Sequence, residues 1–408
     1  MKCRHCQSPL QLSLVDLATS PPSNAYLRTD QLDSPERWYP LRVLVCEHCW
    51  LVQTEDFTQA DQLFDADYAY FSSFSDAWLK HAQAYVTTMI ERFGLSAAHR
   101  VVEIASNDGY LLQYVQAAGI PCYGIEPTAS TAAAARAKGI ESIERFFGTA
   151  LANELATAGR QADLIAANNV LAHVPDINDF VAGFARLLTP AGVATFEFPH
   201  LLKLLEHCQF DTIYHEHFSY LSLTAVARIF KANGLQVFDV EEWPTHGGSL
   251  RVFAQRTGGP HEVSPAVAAM LARETQAGLT QRDTYHSFQA RAEAIKNAFV
   301  GFLLECKARG ERVAAYGAAA KGNTLINFAG IRADLLAYVV DRNPAKQGKF
   351  LPGSRIPIVS PEHLIADQPA WIVILPWNLR DEVIGQMAEA RQWGARFVTA
   401  IPDLAVHA

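Results

Sequence analysis

The stretch VVEIASNDGYLLQYV, from Val101 to Val115, decides the fold. Val101, Val102 and Ile104 make a short apolar run suited to a buried strand, and Leu111, Leu112 and Val115 recur at helical spacing. Between them lies a polar turn of Ser106, Asn107, Asp108 and Gly109, with Tyr110 following. A strand, a tight turn and a helix is how an open α/β sheet presents a ligand beyond the carboxyl ends of its strands. The turn lacks the G-x-G-x-x-G dinucleotide fingerprint. Acidic Glu103 and Asp108 would repel a pyrophosphate and suit a cationic ligand without phosphate.

The pattern repeats outward from this unit. CYGIEP places Glu126 after an apolar run, at the spacing where an acidic residue holds a ribose diol in nucleoside-binding α/β folds. ADLIAANNVLAHVPD begins at Ala162 and runs into Asn168, Asn169 and His173, and GVATFEFP, Gly192 to Pro199, reads as a further strand. Read singly, Asn168 is a helix cap, His173 a satisfied polar core residue and Glu126 a surface carboxylate. Together they mark successive strand ends of a mostly parallel, doubly wound sheet.

The 408 residues suffice for two or three domains, each with its own core. Half of the chain is hydrophobic and 19% is charged, as in a globular enzyme. A net charge of −8, without any Lys/Arg run, argues against a nucleic-acid surface. No apolar stretch approaches the length of a membrane span, and no secretion signal precedes the first cysteine, so the expected setting is the cytoplasm and no membrane partner is expected. Four of the seven cysteines form two knuckles, Cys3-Arg-His-Cys6 and Cys46-Glu-His-Cys49. Two such knuckles supply a closed tetrahedral thiolate set for structural Zn²⁺; a redox dithiol is the rival reading.

FDTIYHEHFSY, Phe210 to Tyr220, places Tyr214, His215, Glu216 and His217 in consecutive positions. In an extended conformation His215 and His217 share one face and Tyr214 and Glu216 the other. A histidine beside a carboxylate is a common way to hold a general base. Further on, THGGSLRVF carries His246 and Arg251, within reach of a substrate or part of an ordinary turn and strand. Pro265 to about Arg309 reads as a helical bridge. RVAAYGAAAKGNTLINF then repeats the strand-loop-helix signal with Gly317, Lys321, Gly322 and Asn323, followed by strands ending at Asp341 and, in WIVILPWN, at Asn378. Small residues let backbone N–H groups approach phosphate, so this second Rossmann-like sheet is expected to bind the pyrophosphate and nucleotide of a nucleotide sugar, or else to serve packing alone.

EIASNDGYLL, NNVLAHVPD and YHEHFSYLS, following YAYFSSFS and the cysteine knuckles in this order, resemble the nucleotide-sugar C-methyltransferases over essentially the whole chain. The resemblance implies a small zinc module (residues 1–67), an S-adenosylmethionine-binding Rossmann-like domain (68–256) and a C-terminal α/β domain (257–408) that helps bind a nucleotide-linked 4-keto-deoxysugar. It implies Glu103, Ser106 to Leu111, Glu126, Asn168 and Asn169 at the cofactor, and His217 as general base with Glu216 beside it. Tyr214, His173 and Tyr68 would lie near the reacting sugar, with His215 as a further substrate contact. The glycine-rich E/D-x-G-x-G-x-G loop of class I methyltransferases in general stands here as Glu103-x-Ala105-x-Asn107-x-Gly109, keeping only the last glycine, as this sugar-methylating branch usually does. Three other classes compete: an O- or N-methyltransferase, which leaves YHEH unexplained; an NAD-dependent reductase, for which GAAAKG lacks a glycine; and a non-catalytic zinc protein. Oligomeric state and the nucleobase are not legible in this chain.

Overall fold

The computed structural model describes residues 1–55 and 71–407, organised around three sheets. The central one has seven strands in the order Leu235–Trp243, Ser249–Arg256, Leu188–Pro199, Ala162–Asn168, Val101–Ile104, Cys122–Ile125 and Ser142–Ile143. Ser249–Arg256 alone runs against the rest, inserted antiparallel between two parallel neighbours. Val101–Ile104 sits inside the sheet and is buried at every position, because helices cover both faces and its apolar run needs no polar alternation. Asp76–Phe93 is one covering helix: the Ser75 hydroxyl caps it by accepting from the Trp78 N–H, and Gly94 ends it at φ +60°.

The C-terminal sheet has six strands in the order Ile358–Val359, Val339–Val340, Val313–Tyr316, Trp371–Ile374, Arg396–Thr399 and Ala405–His407, parallel except for the last. The doubly wound α/β class read from the sequence holds for both halves. The helical bridge is not continuous: Pro265–Gln276 ends before Gly278 at φ +80°, and Phe288–Ala308 resumes after a short intervening helix. Among the described residues, no helix is long and apolar enough to cross a membrane.

The third sheet is antiparallel and joins distant parts of the chain. Leu12–Ser20, Tyr39–Val45 and Val52–Thr54 belong to the N-terminal module, and the fourth strand, Ser219–Tyr220, is the exit of the YHEH segment. Beside it the sulfur atoms of Cys3, Cys6, Cys46 and Cys49 lie within 4.8 Å of one another, with Cys3–Cys49 and Cys6–Cys46 at 3.5 Å. Such separations match the edges of a tetrahedron of thiolates at the Zn–S distance of about 2.3 Å. The hydrogen bond from Cys49, set against burial, holds Cys3 down to about 4, while Cys49 itself is pushed far up. A divalent cation would let all four ionise. His5 instead contacts Asn178 at 2.7 Å.

Because the cysteine cluster and the YHEH exit strand share one sheet, stripping zinc is expected to damage both. A chelator, or Cys46→Ser, should lower Tm by about 10 °C and abolish activity in parallel. Melting curves and assays on the same samples check this; activity surviving intact after zinc removal would refute it.

Candidate functional site

The YHEH segment is not extended. Phe210–Thr212 forms a helical turn, and the chain then reverses between Tyr214 and His217, whose N–H donates to the Tyr214 carbonyl at 2.9 Å. The reversal pairs first with fourth residue in place of alternate ones, so the expected faces are corrected. The rings of Tyr214 and His217 lie 3.9 Å apart. His215 turns away to the Pro40 carbonyl (3.2 Å) and the edge of Tyr39. Glu216, also buried, accepts from the Asn24 amide at 2.7 and 2.9 Å. An extended strand would need ladder partners on both sides. Here the Thr324 hydroxyl takes the carbonyl of Ile213 and the Thr54 hydroxyl that of His217.

His217 is therefore oriented by backbone, not by its carboxylate neighbour. Its Nδ1–H donates to the Thr212 carbonyl at 2.8 Å, which leaves the lone pair on Nε2. The His173 ring stands edge-on at 4.6 Å. Burial, then the neighbouring His173, hold His217 well below the ordinary imidazole range, and burial holds His173 down to about 4. Burial pushes Glu216 up to about 7. The imidazole of His217 is thus neutral, with the Nε2 lone pair as its remaining acceptor. Tyr68 lies outside the described residues.

At the central strand's end, Ala105, Asn107 and Gly109 all adopt positive φ, +57°, +49° and +77°. These are the three positions where the glycine-rich loop has glycine, so the backbone demand persists although two of the residues carry side chains. Asn107 is useful there: its Oδ1 accepts from the N–H groups of Ser72 and Asp108, while its own N–H donates to Glu126. Glu126 also accepts from the Thr128 N–H at 2.9 Å. Lys138 bridges Asp108 and the Ser73 hydroxyl. Gly124 leaves room for the Ser106 side chain, which a Cβ would strike. Tyr110 stacks on Trp78 at 5.9 Å. The Leu111 side chain is wholly buried among apolar neighbours and packs the core.

Several buried oxygens at these strand ends lack a hydrogen bond of ordinary geometry: both of Glu103, Ser106 Oγ, Asp108 Oδ1, Asn168 Oδ1 and Asn169 Oδ1. Burial drives the Glu103 carboxyl well above its normal range. Such a set of acceptors suits a cationic ligand with hydroxyl and amino donors. Asn169, itself at φ +53°, contacts Nε2 of His246 at 3.1 Å, and His246 stands at φ +56°.

At two positions whose readings were left open, the structure shows packing. Arg251 does not reach toward a substrate: its guanidinium is buried between the Tyr85 and Trp243 rings and bonds Glu197 at 2.8 Å, with His81 completing the cluster. The C-terminal loop offers no open phosphate cradle. The N–H of Gly317 donates to Val340, that of Ala318 to the Asp341 carboxylate, and that of Ala319 to Gly317. Gly317 and Gly322 are small because Pro376 and Leu375 press on them. Asn323 is buried against the Ser23 carbonyl. Lys321 bonds Asn378 at 2.9 Å and lies over the Trp377 ring, whose indole N–H donates to Asp211. Asp211, Trp377 and Glu197 escaped the sequence reading. A lone carboxylate inside the apolar GVATFEFP strand was the available signal for Glu197.

Comparison with known proteins follows the same lines. Residues 3–64 match a model described as "Putative zinc binding domain", 78–240 a "Methyltransferase domain" and 244–402 a "C-methyltransferase C-terminal domain". The C-methyltransferase NovU of Streptomyces niveus is 37% identical over 402 residues, 98% of this chain and 96% of that one. The chain belongs to the C-methyltransferase family. Among solved structures, a magnesium protoporphyrin IX methyltransferase from Synechocystis with bound SAM is 17% identical, with a TM-score of 0.33, over 44% of this chain and 79% of that one. The PH0226 protein of Pyrococcus horikoshii is 14% identical, with a TM-score of 0.37, over 49% of this chain and all of that one.

Glu103 gives a test without any ligand. A carboxyl whose folded pKa is raised stabilises fully below its unfolded pKa, and that contribution is lost as pH rises through the folded value. Glu103→Gln should therefore match the natural protein in Tm near pH 5 and exceed it increasingly toward pH 8. A Tm difference that does not grow with pH would refute a carboxyl held protonated by burial.

Proposed function

We propose that this C-methyltransferase places a methyl group on carbon-3 of a nucleotide-linked 4-keto-deoxysugar, through an enolate made by His217. The observation that carries the reading is the fixed tautomer of His217, with Nδ1–H on Thr212 and Nε2 left as acceptor beside the Tyr214 ring. Carbon becomes nucleophilic only next to an electron sink, and a neighbouring ketone is the simplest. Nε2 of His217 takes the proton at carbon-3, and the C–H electron pair moves to the ketone oxygen. Tyr214, His173 and, as a family expectation, Tyr68 are the candidate donors to that oxygen; such preorganised donors supply about 3 kcal/mol of barrier reduction.

S-adenosylmethionine, when bound, supplies a methyl group on a positively charged sulfur for the carbon nucleophile to take. Glu103, Ser106, Asn107, Asp108, Tyr110, Glu126, Asn168 and Asn169 are the residues that would hold it, and the unpartnered buried oxygens fit its cationic and hydroxyl groups. The substrate's nucleotide is assigned to the C-terminal α/β domain. Thiolate-bound zinc holds the sheet that carries the YHEH exit and takes no part in the chemistry.

The test is mass spectrometry of dTDP-, GDP- and CDP-linked 4-keto-6-deoxysugars incubated with the zinc-loaded protein in D₂O, without and with S-adenosylmethionine. One deuterium should enter without the methyl donor and one carbon-bound methyl with it. His217→Asn should slow both by about 10²–10⁴-fold. An ether or amine product made independently of His217 would refute the enolate and identify an O- or N-methyltransferase. Glu103→Gln should weaken S-adenosylmethionine binding about 10- to 100-fold by calorimetry, with unchanged binding counting against the assignment.

A further inference from the structure

Lys321 occupies a costly position. It is the second residue of the helix Ala320–Phe328, where the backbone dipole disfavours a cation, and the residue is partly buried, with burial lowering its pKa. Among the described residues no carboxylate lies within ion-pair distance of it. Its contacts are the Asn378 carbonyl oxygen at 2.9 Å and the face of Trp377, with the nitrogen 4.8 Å from the ring centre. A lysine kept only for packing would reach water along its flexible stem. A lysine kept for phosphate would stand among free N–H groups, and those of Gly317, Ala318 and Ala319 are already used.

The surroundings indicate what the ammonium faces. Its helix packs on Phe210–Thr212, the turn that delivers the YHEH segment, and Thr324 of the same helix bonds the Ile213 carbonyl. Trp377 bonds Asp211 and presses on Gly247, next to His246. The charged and titratable groups around the ammonium are therefore Asp211, His217 and His246. Its positive field adds to the burial that keeps both imidazoles uncharged, and Asp211 is the one anion acting on it.

We propose that Lys321, delivered by the C-terminal domain, is the cation that stabilises the enolate oxygen when His217 removes the substrate proton. The lysine adds no covalent step: the proton goes to Nε2 of His217, the electron pair goes to the ketone oxygen, and that oxygen carries the new negative charge until carbon forms its bond to the methyl. Before substrate binds, the same ammonium holds His217 neutral, so the base is ready when the anion forms. Placing the cation on one domain and the base on the other makes proton removal depend on the two domains being docked.

The inference rests on the enolate reading, and two measurements on the full-length, zinc-loaded protein separate their failures. Side-chain NMR of the histidines needs no substrate. In Lys321→Met the His217 and His246 rings should titrate at higher pH than in the natural protein, and in Lys321→Arg close to it. Deuterium exchange into whichever nucleotide-linked 4-keto-6-deoxysugar the natural protein accepts should fall about 100-fold in kcat for Lys321→Met, with KM little changed and a large part recovered by Lys321→Arg. Unmoved histidine titrations would overturn the proposal. So would a raised KM with unchanged kcat, which assigns Lys321 to phosphate binding. Absence of exchange in the natural protein across the whole panel would sink the enolate reading and the proposal's catalytic half, while the titrations still report whether the ammonium acts on the base.

Discussion

The reversal between Tyr214 and His217 is the constraint on which the arrangement depends. All three parts of the chain hold it. The N-terminal sheet contributes the Thr54 hydroxyl on the His217 carbonyl and pairs its last module strand with Ser219–Tyr220. The central domain contributes the Ala172 carbonyl, which accepts from the Phe218 N–H at 2.8 Å. The C-terminal helix contributes Thr324. Each hydrogen bond is worth only about 1 kcal/mol. Their joint effect is geometric, because a base a fraction of an ångström out of place loses much of its value. A zinc module far from His217 in sequence is thereby made part of its mounting.

The same junction explains why Glu216 lies beside His217 in sequence and apart from it in space. A reversal sends adjacent residues to different sides, so the carboxyl goes into the N-terminal module and, among the described residues, bonds Asn24. Its elevated pKa follows from burial with a neutral partner. The histidine keeps a backbone carbonyl for orientation, which fixes the tautomer without lending it negative charge. A carboxylate in that place would make the imidazole more basic before substrate arrives.

Much of the fold was legible because buried parallel strands are written as apolar runs. Val101–Ile104, Ala162–Asn168 and Trp371–Ile374 could be read directly, and the cysteine knuckles announce themselves by spacing. The local conformation at YHEH was not legible: four polar residues carry no periodicity, and the partners that bend the chain lie far away at Thr54, Ala172 and Thr324. The surroundings of Arg251 were illegible for a related reason. A lone arginine after a turn gives no sign that Glu197, His81 and two aromatic rings will enclose it. Gly317 and Gly322 resembled a phosphate loop because glycine serves close packing as readily as close approach to an anion.

The two α/β halves spend the same architecture in opposite ways. In the first, the strand-end loop keeps non-glycine residues at positive φ and leaves both oxygens of Glu103, one oxygen of Asp108 and that of Asn168 without a hydrogen bond of ordinary geometry. Strain and unmet hydrogen bonds of this kind lower the stability of the ligand-free protein, and a ligand that satisfies them returns the difference as binding energy. In the second, the corresponding loop satisfies itself through Asp341, and Lys346 bonds the Ala318 carbonyl, so it has little to offer a ligand along its backbone. What that half does carry, at the start of its first crossover helix, is one ammonium held by Asn378 and the face of Trp377 without a carboxylate in ion-pair reach among the described residues. Duplicated folds need not duplicate sites: where the loop is closed on itself, the free chemistry moves to the side chain that packing places at the seam.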